Sequence, residues 1–316
     1  TEGVYGKFDV TWQGTWRFSG GARWEQFQQA TLPINPFEFD VNVGQSAIPD
    51  DQLANQVIQT DELYPSLSLT WIQQNRFGAR DFQLRFGASR TVARPDLREI
   101  SNGVFIDPLT EARVQGTPGL QPSDITNYDA RAEWFFSNGD NFTVSLFYKL
   151  IEDPIETVLS AGTDNNILLT FINAEEGELY GVEFEGLKEL SFLGDVAGDW
   201  ASGFFLSGNL TLSDSELSVG EAALDLTNDS RRLTQHSQWV VNTQLGYDSP
   251  NAMHSATLVY NVFGPRIFSA GRNGADDAFE QPIHTVDFVY NFYPTDNITF
   301  TAKLQNLLSD EREITQ

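Results

Sequence analysis

Charged side chains recur at every second position inside segments of this chain that are otherwise apolar. The residues in this pattern are Lys7, Asp9, Arg17, Arg23, Glu25, Arg85, Asp129, Arg131, Glu133, Glu183, Glu185 and Lys303. Because side chains alternate between the two faces of an extended strand, the charges of one segment share a face. Opposite charges on neighbouring strands attract one another across a sheet. The pattern therefore predicts a wall stiffened by cross-strand ion pairs.

Residue patterns for catalysis or metal binding are missing from the sequence. The chain has no cysteine, and its three histidines, His236, His254 and His284, are too far apart for a zinc motif. We expect these histidines to be loop or lumen side chains. No G-x-S-x-G elbow, P-loop or dinucleotide fingerprint occurs. We predict no enzymatic activity, no metal site and no cofactor.

Composition restricts the class of protein further. The formal net charge of −25 and the absence of a basic patch argue against a nucleic-acid partner. The 24 Phe, 9 Tyr and 7 Trp argue against disorder. No apolar run approaches the roughly 18 residues that a membrane helix needs. A membrane barrel stays possible, because only half the residues of its strands are apolar.

Period-two alternation extends along the whole chain and predicts an all-β protein. In "NFTVSLFYKLI" at 141–151, for example, Phe142, Val144, Leu146, Tyr148 and Leu150 fall on one face. About twelve strands result if residues 167–190 form one long strand. The predicted strands cover residues 4–12, 16–25, 63–71, 82–89, 127–136, 141–151, 167–190, 204–212, 239–247, 255–262, 286–292 and 298–308.

Short and long connections alternate along the predicted strands. The short ones, rich in Gly, Asn, Asp and Pro, are 13–15, 74–78, 137–140, 248–251 and 294–296. The long ones cover about 28–61, 92–125, 152–166, 214–235 and 264–282. This order is typical of an outer-membrane barrel, with short turns on one rim and long loops on the other. Aromatic residues beside the short turns, such as Trp12, Trp16 and Trp134, favour a membrane-interface girdle.

Several stretches resemble the C-terminal half of the barrel of a TonB-dependent outer-membrane receptor. They occur in that family's order along most of the chain. They include "LYPSLSL" at 63–69, "RFGASRTVARPDLREIS" at 85–101, "GTPGLQPSDITNYDARAEWFF" at 116–136, "INAEEGELYGVEFEG" at 172–186 and "LQNLLSDE" at 304–311. We identify the chain as a member of that family by this resemblance.

The resemblance carries expectations about fold and partners. Residues 1–316 would form one partial transmembrane β-barrel domain, about strands 10–21 of about 22. Both ends of the chain fall on the long-loop rim, so we expect the plug domain and the final strand to lie outside it. Expected partners are outer-membrane lipid and lipopolysaccharide, the protein's own plug and remaining strands, the periplasmic TonB complex and a small nutrient ligand. The charged wall would line the lumen and contact the plug.

The implied function is energised uptake of a scarce nutrient, such as a ferric siderophore, cobalamin or an oligosaccharide, across a Gram-negative outer membrane. A passive porin or a structural or assembly barrel is the alternative, and a soluble β-sandwich or propeller lectin is a more distant one. The long loops combine acidic residues with Phe37, Phe39, Phe105 and Phe268, which are candidate ligand contacts. The same loops also fit a solvated anionic surface, bridged to lipopolysaccharide by divalent cations.

Overall fold

A computed structural model describes residues 1–31, 57–107, 112–161, 167–220, 226–271 and 274–315. In chain order, the strands are β1 (Glu2–Trp12), β2 (Trp16–Ala30), β3 (Val57–Arg76), β4 (Ala79–Ala93), β5 (Val104–Ile106), β6 (Arg113–Gln115), β7 (Ser123–Phe135), β8 (Asn141–Glu152), β9 (Ile155–Ala161), β10 (Ile167–Asn173), β11 (Glu176–Glu189), β12 (Phe204–Ser218), β13 (Ser230–Arg231), β14 (Trp239–Asp248), β15 (His254–Phe263), β16 (Arg266–Ser269), β17 (Ala278–Glu280), β18 (Thr285–Thr295), β19 (Ile298–Leu304) and β20 (Ile314–Thr315). Helix α1 (Leu193–Ala197) and a 3-10 helix (Asp199–Gly203) lie between β11 and β12.

Twelve long strands form one antiparallel sheet, each paired with its neighbours in chain order. The order is β1-β2-β3-β4-β7-β8-β11-β12-β14-β15-β18-β19, and β13 adds a short pairing to β12. The edge strands β1 and β19, both fully described, do not pair with each other. The predicted all-β, antiparallel architecture of about twelve strands is confirmed.

The prediction of one long strand over residues 167–190 was wrong. The chain breaks after β10, where Ala174 N–H donates to Pro154 O at 2.8 Å. Before the break, β10 pairs with β9 and β6 above the main sheet, whereas β11 pairs with β8 and β12 inside it. Apolar side chains continue through both β10 and β11. The alternation in the sequence therefore does not show that the two strands belong to different sheets.

One face of the main sheet presents large apolar side chains that remain exposed. Leu146, in the middle of β8, is 56% exposed, which excludes this face as the core of a water-soluble sandwich. Cross-strand pairing places similar side chains beside it across the sheet. They include Phe18, Leu67, Phe86, Tyr128, Leu206, Leu245 and Leu258. An exposed apolar face on a large antiparallel sheet is the mark of the outer wall of a transmembrane β-barrel.

Helices contribute little to the described part of the chain, and none of them is long and apolar enough to cross a membrane.

A belt of aromatic rings follows the short-turn end of the apolar face. Ring centroids lie 6.3 Å apart for Trp16 and Trp71, and 5.1 Å apart for Phe82 and Trp134. The belt continues through Phe142, Phe204, Tyr247, Phe292 and Phe300. Its position beside the short turns matches the membrane-interface girdle of a barrel.

His254 belongs to this belt, so expecting all three histidines in loops or the lumen was wrong. The His254 ring stacks on Phe292 with centroids 5.0 Å apart. His254 is the first residue of β15, and its alternation places it on the face of Leu258. His284 lies in a connection, where its Nδ1 is 2.8 Å from Tyr260 Oη.

The long connections fold into two small sheets at the opposite rim. One has the order β5-β6-β10-β9 and the other β16-β17-β20. A small core of Ile58, Ile100 and Leu120 joins the first sheet to the upper end of β3. The strands of these two sheets have only two to seven residues, and β6 and β10 pair in parallel. Alternation over so few residues is too short to predict a strand from sequence.

Phe147 is the one large aromatic residue among the polar positions of β8, and it covers a glycine. Its cross-strand partner is Gly181 on β11. A Cβ at position 181 would lie 2.7 Å from Phe147 Cζ and 2.5 Å from Leu212 O. The ring and the neighbouring backbone therefore occupy the space that a side chain would need.

Gly181→Ala is expected to destabilise the sheet by about 1–3 kcal/mol, because the added methyl overpacks against backbone. Gly87→Ala is the matched control, since its nearest neighbours would be 3.9 Å away, and it should stay within about 0.5 kcal/mol. The measurement is the free energy of unfolding in guanidinium, in detergent micelles. Equal stability of the two variants would contradict the packing described here.

Candidate functional site

The twelve predicted wall residues all lie on the face opposite the aromatic belt. Cross-strand pairing fixes this placement: Thr143, for example, is opposite Glu133 on one side and Glu185 on the other. Lys303 joins the same face through its pairing with Val289. We call this face of the main sheet the polar face.

Arg131 is the centre of one cluster of charges on the polar face. Its Nε lies 3.2 Å from Glu133 Oε1, and its Nη2 lies 2.9 Å from Glu185 Oε2. Arg85 approaches the same Glu133 at 3.3 Å. The cluster links β4, β7 and β11, as the spacing of these residues predicted.

Glu25 is the centre of a second cluster nearer the long-loop rim. Its carboxylate accepts hydrogen bonds from Arg23 Nε at 2.6 Å and Arg94 Nη2 at 2.5 Å. Arg94 also lies over the ring of Phe27, at 4.2 Å from its centroid. Sequence reasoning missed Arg94, because it follows the last residue of β4 and lies outside the alternating segment.

The remaining predicted wall residues stand apart from these clusters. Asp9 accepts a hydrogen bond from Arg17 Nε at 2.9 Å, between β1 and β2. Glu183 is 3.4 Å from Thr211 Oγ1. The other three, Lys7, Asp129 and Lys303, share the polar face without joining either cluster.

Amides replace charges on the polar face of the next strands. Asn209, Asn242 and Asn261 form one row across β12, β14 and β15, and Asn242 Nδ2 donates to Asn209 Oδ1 at 2.8 Å. This row lines a groove of about 460 Å³ together with Glu185 and Gln244. The alternation placed these amides opposite the apolar side chains, but the predicted wall contacts were all charged residues, since uncharged polar residues are ordinary on any solvated strand.

A pocket of about 290 Å³ lies among the small sheets at the long-loop rim. Four connections supply its walls, and it brings the predicted contacts Phe105 and Phe268 together. The other lining residues are Asp96, Arg98, Glu99, Asp107, Val114, Thr157, Leu169, Phe171 and Gln235. The other two predicted contacts, Phe37 and Phe39, lie outside the described residues.

The pocket mixes aromatic rings with opposite charges. Arg98 lies over the Phe105 ring, at 5.7 Å from its centroid. Burial raises the pKa of Glu99 above its ordinary value, although its carboxylate accepts the Asp96 N–H at 2.8 Å. Such a lining suits a ligand with a flat apolar group and hydrogen-bonding substituents.

Ion pairs hold the pocket walls in place. Glu280, 2% exposed, accepts hydrogen bonds from Arg266 Nε at 2.8 Å and Arg312 Nε at 2.9 Å. Burial alone would raise the pKa of Glu280, but the two guanidinium groups have the larger effect together, and the pKa is lowered. Arg312 also lies over the ring of Phe268, so the ion pair between Arg312 and Glu280 is in direct contact with a pocket residue. Glu156 on β9 forms a buried pair with Arg231 on β13 at 2.9 Å.

His236 connects the pocket side of the fold to β12 through both of its ring nitrogens. Its Nδ1 lies 2.7 Å from Ser215 Oγ, which also accepts the Leu233 N–H. Its Nε2 lies 2.9 Å from Ser213 Oγ. Burial, with a smaller effect of Arg232, lowers the pKa of His236 below its ordinary value. Its role is structural, and the described residues contain no cluster of His, Asp and Glu that would hold a metal ion.

Comparison with solved structures gives the same fold at low sequence identity. The ferric enterobactin receptor PfeA of Pseudomonas aeruginosa, as its G324V mutant, is 15% identical, with a TM-score of 0.57 over 97% of this chain and 39% of that one. The copper transporter OprC is 16% identical, with a TM-score of 0.59 over 97% and 41%. The ferric yersiniabactin uptake receptor FyuA of Yersinia pestis is 15% identical, with a TM-score of 0.55 over 97% and 40%.

The chain thus spans about two-fifths of the length of these receptors. No curated protein sequence matches it. The family described as TonB dependent receptor-like, beta-barrel, matches residues 1–307. Proteins of this family lie in the outer membrane of Gram-negative bacteria. The chain belongs to the TonB-dependent receptor β-barrel family, as its sequence motifs indicated.

Proposed function

We propose that this chain is part of the barrel wall of a receptor for energised, TonB-dependent uptake of a scarce nutrient across the outer membrane. The family match over residues 1–307 carries this proposal. The exposed apolar face and the paired polar face support a place in lipid around a polar lumen. The protein transports its ligand and catalyses no reaction.

The charged half of the polar face is the proposed docking surface for the plug. Buried polar atoms without a hydrogen-bond partner among the described residues support this placement: they include Tyr64 Oη, Arg94 Nε and Ser145 Oγ. Such atoms cost free energy unless water or another domain pairs with them. Arg90 adds charge nearby, with ion pairs to Glu62 at 3.2 Å and Asp124 at 2.9 Å.

The pocket around Phe105 and Phe268 is the proposed first contact for the ligand. It opens among the long connections, which face the cell exterior in a barrel of this kind. At about 290 Å³, it would hold a small ligand or one ring-bearing group of a larger one. A ferric siderophore, cobalamin or an oligosaccharide would each supply such a group, and lipopolysaccharide would surround the acidic rim.

Energised uptake is expected to be saturable and to need TonB. Cells that carry the native-length gene, and cells that lack it, are given a labelled ferric catecholate, a ferric hydroxamate, cobalamin or a maltooligosaccharide. Uptake of one probe should require the gene and should stop when tonB is deleted or the proton gradient is collapsed. Non-saturable entry that persists without TonB would instead support the passive porin.

Phe105→Ala and Phe268→Ala are each expected to weaken binding of the transported probe by about 2- to 10-fold, because a lost aromatic contact is worth about 0.5–1.5 kcal/mol. Phe77→Ala is the matched control, since Phe77 is exposed on the short-turn rim, and it should leave the affinity unchanged. Titration of probe into purified receptor measures the effect. Unchanged affinity in both pocket variants would exclude the pocket as the contact site.

A further inference from the structure

The connection between β11 and β12 differs from the other turns on its rim. It covers residues 190–203 and contains α1 and the 3-10 helix, whereas the neighbouring turn, at 249–253, is a tight loop. Three large apolar side chains along it stay exposed: Phe192 at 55%, Val196 at 83% and Trp200 at 58%. Water-exposed aromatic and β-branched side chains grouped on so short a segment mark an interaction surface.

Internal contacts hold this segment in one orientation. Leu190 N–H donates to Phe204 O at 2.9 Å and closes its base. The Trp200 indole donates to Ala197 O at 2.9 Å, so its polar edge is paired while its rings stay exposed. A Cβ at Gly203 would lie 1.8 Å from Asp248 O, which shows how closely the segment approaches the end of β14. The exposed side chains are therefore presented by a fixed element.

Trp200 continues the aromatic belt beyond the last residues of the strands. Its ring meets Phe204 edge-on with centroids 6.0 Å apart, and Phe204 meets Tyr247 at 4.8 Å. Phe204 and Tyr247 are paired residues on the apolar face. Through Trp200, the exposed surface of this connection is thus continuous with the apolar face, at the depth where a bilayer turns from hydrocarbon to headgroups.

We propose that residues 190–203 form an interfacial anchor, with Phe192, Val196 and Trp200 inserted among the phospholipids of the inner leaflet. Short turns of outer-membrane barrels face the periplasm, which places α1 at that leaflet. The segment contains Asp195 and Asp199 but no Lys or Arg. Insertion is accordingly driven by apolar burial and needs no anionic lipid. The proposal depends on the membrane location given under the proposed function, but on neither the ligand nor TonB.

Spin labels on single introduced cysteines test the anchor, because the chain has no cysteine of its own. Labels are placed by Val196→Cys, by Asp195→Cys about 100° around the same helix, and by Leu146→Cys on the apolar face. The native-length protein is reconstituted in phosphatidylcholine vesicles, with or without added phosphatidylglycerol. Accessibility to oxygen, which enriches in lipid, is compared with accessibility to nickel–EDDA, which stays in water.

The label at position 196 should show an oxygen-to-nickel ratio several-fold higher than the label at 195, lower than that at 146, which lies deeper in the bilayer, and equal in both lipid mixtures. A ratio at 196 equal to that at 195 would place the helix in water and overturn the anchor. Low accessibility of 196 to both reagents would mean that protein covers it, which also overturns the anchor. A water-like ratio at 146 as well would contradict the membrane location itself.

Discussion

Backbone hydrogen bonding is the constraint on which this structure depends. Inside a bilayer, an unpaired N–H or C=O group costs several kcal/mol, so strands must pair along their whole length. The ten interior strands of the sheet meet this demand by pairing on both sides, whereas β1 and β19 each pair on one side only. Because the sheet is antiparallel, successive connections alternate between its two rims. The charged clusters and the pocket lie on the polar face and at the long-loop rim, whereas the proposed anchor lies at the short-turn rim.

The polar face has two chemically different halves. Ion pairs centred on Glu25 and Arg131 link side chains of strands between β2 and β11. From β12 to β15, the wall instead carries a row of amides that includes Asn242. If the charged half binds the plug, the neutral half and its groove would leave room for a ligand to pass beside it.

Sequence reasoning succeeded where a physical period repeats over many residues. Alternation over 7 to 11 residues predicted the long strands, their faces and the rows of charges. It failed where structure depends on contacts distant in sequence: the break at Ala174, the small sheets at the rim and the joining of Phe105 to Phe268. Arg94 was missed because it follows the last residue of β4 and lies outside the alternating segment. His254 was misplaced because a strand begins one residue earlier than predicted.

The central claim is that one face of the sheet meets lipid and the other does not. Bimane attached to single cysteines at each position from 142 to 151 of β8, with quenching by spin-labelled lipid in bilayers, measures it directly. Quenching should alternate with a period of two, strong at the positions of Phe142, Val144, Leu146, Tyr148 and Leu150 and weak between them. Uniform quenching, or the opposite phase, would contradict the account.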